Sequence, residues 1–182
     1  MSSGLESLRV LLVDDNQHMR AIVMTVLSGV GVAQIRETRD GAEALAALRE
    51  WPADLAIVDF QMTPLDGVEF TRLVRNSPDS RNPYLPIIMM TGHSERSRVM
   101  DARDAGVTEF VAKPLTAKSV LERIHAVIYR PRPFVRTADY FGPDRRRKDD
   151  PGYAGPWRRS TDPGAQKTPD ADMDDELSWG RR

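Results

Sequence analysis

Short runs of apolar residues alternate along the first 130 residues with segments whose apolar residues recur at helical spacing. The runs are rich in branched side chains, which is typical of buried strands. They lie at residues 8–13, 32–37, 55–58, 87–90 and 107–112. The intervening segments predict five helices, marked by residues 19–27, 44–48, 68–74, 99–106 and 120–128.

Alternating strands and helices of this kind predict an α/β fold with a doubly wound parallel sheet. Parallel strands need crossover connections, and these connections are right-handed. For five strands the flavodoxin-like order 2-1-3-4-5 is the expected one. We therefore expect one domain over residues 1–130, which is long enough to bury a core.

The composition changes after Arg130. Residues 131–182 hold seven of the thirteen prolines, dense charge and few aliphatic side chains. Such a mixture buries too little apolar surface to offset the entropy of ordering, so it predicts a disordered tail. Two copies of Tyr-x-Gly-Pro-x-Arg-Arg lie in this tail at residues 140–146 and 153–159, before an acidic end.

Polar residues stand where four of the predicted strands end. These residues are Asp14 with Asp15, then Asp59, Thr91 and Lys113. Ligands of open parallel α/β sheets bind in the crevice outside the carboxyl ends of the strands, so the four positions should converge. The sequence predicts a single polar pocket there.

Three clustered aspartates suggest a cation. Carboxylates about 5 Å apart repel by roughly 3 kcal/mol per pair at an effective dielectric constant near 20. A hard divalent ion with oxygen ligands removes that cost, and Mg²⁺ fits best. Asp59, at the end of a buried strand, is the natural nucleophile for an acyl phosphate, with Lys113 as a cation and Thr91 as a hydroxyl donor for the phosphoryl oxygens.

Each of these features also has an ordinary structural interpretation. An Asp-Asp pair after a strand is often a helix cap, and Lys-Pro is often a turn. The occurrence of all four sites in order on strand ends favours the functional interpretation.

The sequence resembles the receiver domain of two-component response regulators over residues 6–130. The motifs that carry the resemblance are Leu-Leu-Val-Asp-Asp-Asn at 11–16, Val-Asp-Phe-Gln-Met at 58–62, Leu-Asp-Gly at 65–67, Met-Thr-Gly at 90–92 and Phe-Val-Ala-Lys-Pro at 110–114. One departure is Thr63 before Pro64, where the family usually has proline directly after the methionine.

The resemblance implies that Asp59 accepts a phosphoryl group from a histidine kinase or a histidine phosphotransfer protein. It implies Mg²⁺ held by Asp15, Asp59 and the backbone carbonyl of Gln61, with Asp14 acting through water. It also implies a cis peptide between Lys113 and Pro114. Thr91 and Phe110 would move together on phosphorylation and reshape the face formed by the fourth helix, the fifth strand and the fifth helix.

The expected role is a single-domain response regulator whose output is protein contact, with a flagellar motor or a kinase as the target. The proline-rich tail offers no helix-turn-helix for DNA binding. Beyond its own phosphorylation and dephosphorylation we expect no enzymatic activity. The absence of cysteine, of a signal peptide and of any long apolar run makes a cytoplasmic protein without a membrane span the default.

A second hypothesis places function in the tail. Arginine forks bind phosphates and guanine edges, and aromatic rings stack on bases. Arginine-rich extensions on chemotaxis-regulator-like receivers resemble those of cyclic-di-GMP effectors. The candidate nucleotide-binding residues are Tyr140, Arg145, Arg146, Tyr153, Trp157, Arg158 and Arg159. A solvated linker, or non-specific contact with RNA or a membrane, remains open as an alternative for the tail.

Overall fold

The computed structural model describes residues 4–92 and 98–145. Within these ranges strands and helices alternate as far as the fifth helix, and two short strands follow. The elements are β1 (Arg9–Val13), α1 (Gln17–Gly29), β2 (Gln34–Thr38), α2 (Gly41–Glu50), β3 (Leu55–Asp59), α3 (Gly67–Asn76), β4 (Ile87–Thr91), α4 (Val99–Ala105), β5 (Glu109–Ala112), α5 (Ala117–Tyr129), β6 (Phe134–Arg136) and β7 (Phe141–Pro143).

The main sheet has five parallel strands in the order β2-β1-β3-β4-β5. The predicted flavodoxin-like α/β fold is therefore confirmed. Strands β3 and β4 are buried along their whole length, which explains their continuous apolar sequences. Strand β2 begins two residues later than expected, because the Val32 N–H donates to the Leu27 carbonyl and closes the end of α1.

Successive side chains of β1 enter two different cores. Val10 and Leu12 pack with α1 and α5 on one face of the sheet. Leu11 and Val13 pack with α2 and α3 on the other face. This alternation is the period of two expected for a strand covered on both sides.

The connection after β3 is fixed by a close backbone approach at Gly67. A Cβ atom at this position would lie 2.3 Å from the carbonyl oxygen of Asp59. The Gly67 N–H also donates to the Phe60 carbonyl at 3.2 Å. Asp66 then caps α3 through a reciprocal hydrogen-bond pair with Glu69. The start of α3 is thereby held directly against the end of β3.

Residues 131–145 differ from the predicted disordered tail. Strands β6 and β7 form an antiparallel pair within this segment, which we call the C-terminal hairpin. Its rings of Phe134 and Phe141 lie 5.1 and 5.2 Å from the ring of Tyr84, centre to centre. The low apolar content of the segment as a whole concealed these few aromatic contacts. The remaining predicted tail, residues 146–182, lies outside the described residues.

A buried arginine anchors the C-terminal hairpin to the domain. Arg75 of α3 is only 2% exposed. Its guanidinium donates to the carbonyls of Gly106 and Pro83 at 3.0 and 2.8 Å, and lies 5.0 Å from the ring centre of Phe134. Burial lowers the pKa of Arg75 to about 10, so the side chain stays charged at neutral pH. Backbone carbonyls and an aromatic face take the place of an acidic partner.

Ion pairs fasten the two ends of the hairpin. Arg132 contacts the Thr108 carbonyl and the Glu109 carboxylate at the start of β5. Arg145 pairs with Asp104 of α4 at 2.8 Å. The hairpin therefore lies at the amino end of β5, the end opposite to Lys113.

No helix among residues 4–92 and 98–145 is both long and apolar enough to cross a bilayer.

Gly142 provides a test of hairpin docking. A Cβ at this position would lie 2.8 Å from the Cα of Gly106 and 2.5 Å from the hydroxyl oxygen of Tyr140. We expect Gly142→Ala to lower the free energy of unfolding by about 1–3 kcal/mol because the backbones must separate. Chemical denaturation measures the loss, and hydrogen exchange should rise over residues 131–145.

Gly29→Ala is the matched control, because a Cβ at Gly29 meets no atom within 4 Å. Equal stability of the two variants would contradict the docked position of the hairpin.

Candidate functional site

The ends of three strands bring the predicted pocket together. Asp14 follows β1, Asp59 is the last residue of β3, and Lys113 follows β5. Strands β1 and β3 are hydrogen-bonded neighbours, so Asp14 and Asp59 meet at one edge of the sheet. Carboxylate oxygens of Asp14, Asp15 and Asp59 lie within 4.8 Å of one another. The structure thus brings the three aspartates together as the sequence predicts.

An Asp-Asp pair after a strand often caps the following helix, but here the N-cap of α1 is Asn16. The side chain of Asn16 accepts hydrogen bonds from the N–H groups of His18 and Met19 at the start of α1. Asp14 is fully buried and Asp15 is exposed. The N-terminus of α1 is therefore capped without Asp14 or Asp15.

Asp14 has one satisfied oxygen and one unsatisfied oxygen. Its Oδ1 accepts from the Asn16 N–H at 2.8 Å. Its Oδ2 is buried and has no hydrogen-bond partner among the described residues. Burial raises the pKa of Asp14, and the charges of Asp59 and Asp15 raise it further. A buried oxygen in this position fits a hard cation as its missing partner.

Asp59 is oriented by two donors on a single oxygen. Its Oδ1 accepts from Lys113 Nζ at 2.7 Å and from the Phe60 N–H at 2.8 Å. Burial raises the pKa of Asp59 more than the ammonium of Lys113 lowers it. Both hydrogen bonds therefore fall on the same carboxylate oxygen.

The backbone holds Lys113 against β4. Its N–H donates to the Thr91 carbonyl at 2.8 Å, and the peptide between Lys113 and Pro114 is cis, as the family resemblance implied. The Thr63–Pro64 peptide, where the sequence departs from the family pattern, is also cis.

The site opens into a cleft of about 580 Å³. It is lined by Asp15, Asn16, Met19, Asp59, Gln61, Met62, Thr63, Asp66, Arg98 and Lys113. Gln61, whose backbone carbonyl the resemblance implies as a metal ligand, is in this set. Arg98 and Asp66 are residues that sequence analysis missed as members of the site.

The family assignment follows from sequence comparison. The model of the response regulator receiver domain matches residues 10–125. The chain belongs to this family.

Chemotaxis proteins are among the relatives of this receiver domain. The chain is 33% identical over 123 residues to the chemotaxis protein CheY of Pseudomonas aeruginosa, covering 68% of this chain and 98% of that protein. It is 30% identical over 125 residues to CheY-3 of Vibrio cholerae, covering 69% of this chain and 95% of that protein. The structure is similar to that of CheY4 of Vibrio cholerae, with a TM-score of 0.60 at 29% identity over 66% of this chain and 98% of that one.

The two predicted switch residues of the receiver lie on neighbouring strands. Thr91 ends β4 opposite Ala112, and Phe110 lies on β5 opposite Met89. Both are buried, with 6% and 5% of their surface exposed. Thr91 and Phe110 therefore lie on neighbouring strands, two residues apart in the register.

The predicted nucleotide-binding residues of the tail are described only in part. The hydroxyl of Tyr140 donates to the Pro143 carbonyl at 2.7 Å, and the guanidinium of Arg145 lies 3.9 Å from the Tyr140 ring centre. Burial raises the pKa of the Tyr140 hydroxyl. The other predicted residues lie outside the described ranges, namely Arg146, Tyr153, Trp157, Arg158 and Arg159.

The raised pKa of Asp14 leads to a test of site strain. The folded state holds the proton of Asp14 more tightly than the unfolded state, so this carboxyl lowers stability as pH rises through its folded pKa. Without a divalent ion, Asp14→Asn should raise the free energy of unfolding at pH 7 by about 1–2 kcal/mol. Denaturation in chelator at pH 7 and at pH 4 measures the effect, which should shrink at the lower pH.

The control for this experiment is Asp79→Asn, a change at an exposed aspartate far from the cluster along the chain. A loss of stability in metal-free Asp14→Asn would contradict the inferred strain.

Proposed function

We propose that this protein is a response regulator that accepts a phosphoryl group on Asp59 from a histidine kinase or a histidine phosphotransfer protein. The observation that carries the proposal is the position of Asp59. Its Oδ1 is held by Lys113, and Asp59 lines the cleft with its carboxylate beside those of two further aspartates. The receiver family and the chemotaxis relatives support it.

The reaction requires little covalent chemistry from the protein. Asp59 Oδ2 forms a bond to phosphorus while the phosphorus–nitrogen bond of the donor histidine breaks, and the released imidazole keeps the electron pair. Positioning and charge stabilisation carry most of the catalysis of such transfers. The ammonium of Lys113, 2.7 Å from Asp59, supplies a fixed positive charge for the phosphoryl oxygens.

Receiver domains bind Mg²⁺ at an acidic pocket, and the residues of this pocket fit the ion. Asp14, Asp15, Asp59 and the carbonyl of Gln61 would hold it, and the unsatisfied Oδ2 of Asp14 supports the assignment. When bound, Mg²⁺ would neutralise the charge of the phosphoryl group. The protein contributes three carboxylates whose mutual repulsion favours binding of the ion.

The proposed output is protein contact through the surface of α4, β5 and α5. Phosphorylation would supply new contacts to Thr91 and Lys113 in one state only, which shifts the population of this surface. The match covers 98% and 95% of the two CheY relatives, so those proteins consist of little beyond this domain. We propose that the target is a chemotaxis component, such as a flagellar motor or a kinase. The protein would act in the cytoplasm and would not bind DNA.

Phosphorylation of Asp59 can be tested with a small-molecule donor. Wild-type protein with acetyl phosphate and Mg²⁺ should gain one phosphoryl group, seen by intact-mass spectrometry. Asp59→Asn should gain none, because an amide is not a nucleophile for this reaction. Asp79→Asn serves as the control and should be labelled like the wild type. Labelling of Asp59→Asn at the wild-type level would show that another residue is the acceptor.

The alternative function is cyclic-di-GMP binding through the arginine-rich tail. One observation favours it: the guanidinium of Arg145 is stacked on Tyr140 and its side chain is one-third exposed. To bind a phosphate of the nucleotide, Arg145 would have to leave its ion pair with Asp104 or share it. The nucleotide would thus compete with Asp104 of α4 for the guanidinium of Arg145.

The alternative predicts that Arg145→Ala combined with Arg158→Ala abolishes calorimetric binding of cyclic-di-GMP by the full-length protein. Labelling of Asp59 should persist in this double variant, because Arg145 lies on the hairpin at the amino end of β5. The alternative function would be refuted if the double variant bound cyclic-di-GMP as tightly as the wild type. It would also be refuted if the wild type did not bind cyclic-di-GMP.

A further inference from the structure

Arg98 is a second basic residue of the cleft. It precedes α4, and its side chain lines the same cavity as Asp59 and Lys113. Its guanidinium lies 5.1 Å from the ring centre of Phe60, the residue whose N–H holds Asp59. Arg98 is therefore placed over the residue next to the proposed nucleophile.

The present partner of Arg98 is Asp66. The two side chains form an ion pair at 3.2 Å, and they are 45% and 21% exposed. Ion pairs with this exposure contribute little net stability, so exchanging one partner for another costs little. Asp66 has a separate role through its other oxygen, Oδ1, which caps α3 at the N–H of Glu69. Loss of Arg98 would thus leave the helix cap in place.

A phosphoryl group in the cleft is a stronger partner for Arg98 than Asp66. The planar guanidinium offers paired donors that match two phosphoryl oxygens, whereas Lys113 acts as a single point charge. Among the described residues that line the cleft, the carboxylates of Asp15, Asp59 and Asp66 outnumber the cations of Arg98 and Lys113. Within this described lining, Arg98 is the cation available to a dianionic phosphoryl donor besides Lys113.

We propose that Arg98 leaves Asp66 and binds the phosphoryl group during transfer to Asp59, which makes it a catalytic residue of the phosphorylation reaction. The inference rests on the proposed function of Asp59 and deepens it. With acetyl phosphate, Asp59 Oδ2 bonds to phosphorus, the phosphorus–oxygen bond to the acetyl group breaks, and acetate leaves with the electron pair. Arg98 neutralises charge on the phosphoryl oxygens and exchanges no proton.

The test compares rates of labelling by acetyl phosphate with Mg²⁺ in full-length variants. Arg98→Ala should lower the second-order rate constant about tenfold or more, the loss expected for a hydrogen bond between charged groups. Arg98→Lys should fall between this variant and the wild type, since it keeps the charge and loses the fork.

Asp66→Asn separates phosphoryl binding from a purely structural role of the ion pair. An asparagine still caps α3, but it no longer competes for Arg98. Its labelling rate should exceed that of the wild type, because Arg98 no longer has to leave an acidic partner before it binds the phosphoryl group. If the pair served only to tie α3 to α4, Arg98→Ala and Asp66→Asn would slow labelling together, and that outcome would overturn the proposal.

Arg81→Ala is the matched control, because Arg81 is an exposed arginine in the loop before β4, at the opposite end of that strand. A rate for Arg98→Ala equal to that of Arg81→Ala would also overturn the role of Arg98, while leaving Asp59 as the acceptor. Failure of the wild type to be labelled at all would instead refute the proposed function itself.

Discussion

Mutual repulsion of three carboxylates is the constraint around which this site is organised. Asp14, Asp15 and Asp59 are held within 4.8 Å of one another, and Asp14 keeps a buried oxygen without a hydrogen-bond partner. The ammonium of Lys113 lies 2.7 Å from Asp59, yet burial still raises the pKa of this carboxyl. The parallel sheet fixes the aspartates in this arrangement, so relief of the repulsion has to come from a cation.

The two ends of the sheet serve different purposes. The carboxyl ends of the strands carry the aspartates, Lys113 and the cleft. The close approach of Gly67 to the Asp59 carbonyl fixes the loop that joins β3 to α3. The amino end of β5 carries the C-terminal hairpin, in which Phe134 packs on buried Arg75 and Arg132 pairs with Glu109. The contacts that hold the hairpin therefore lie at the end of the sheet opposite to the three aspartates.

The fold and the aspartate pocket could be predicted because both follow from local sequence. Buried strands give continuous apolar runs, and the polar residue that ends each run marks the carboxyl edge. The C-terminal hairpin escaped prediction because Phe134 and Phe141 gain their contacts from Tyr84, about fifty residues away. Arg98 escaped for the same reason, since only the fold places it beside Asp66.

The need of the three aspartates for a cation can be tested by measuring the thermal stability of the full-length protein as Mg²⁺ is added at constant ionic strength. We predict a melting temperature that rises with the logarithm of the Mg²⁺ concentration above the dissociation constant, with a gain in stability of about 1.4 kcal/mol when the ion is present at ten times that constant. A monovalent salt at matched ionic strength should produce no such rise. A melting temperature that stays unchanged up to millimolar Mg²⁺ would contradict the idea that repulsion among the three carboxylates drives binding of the ion.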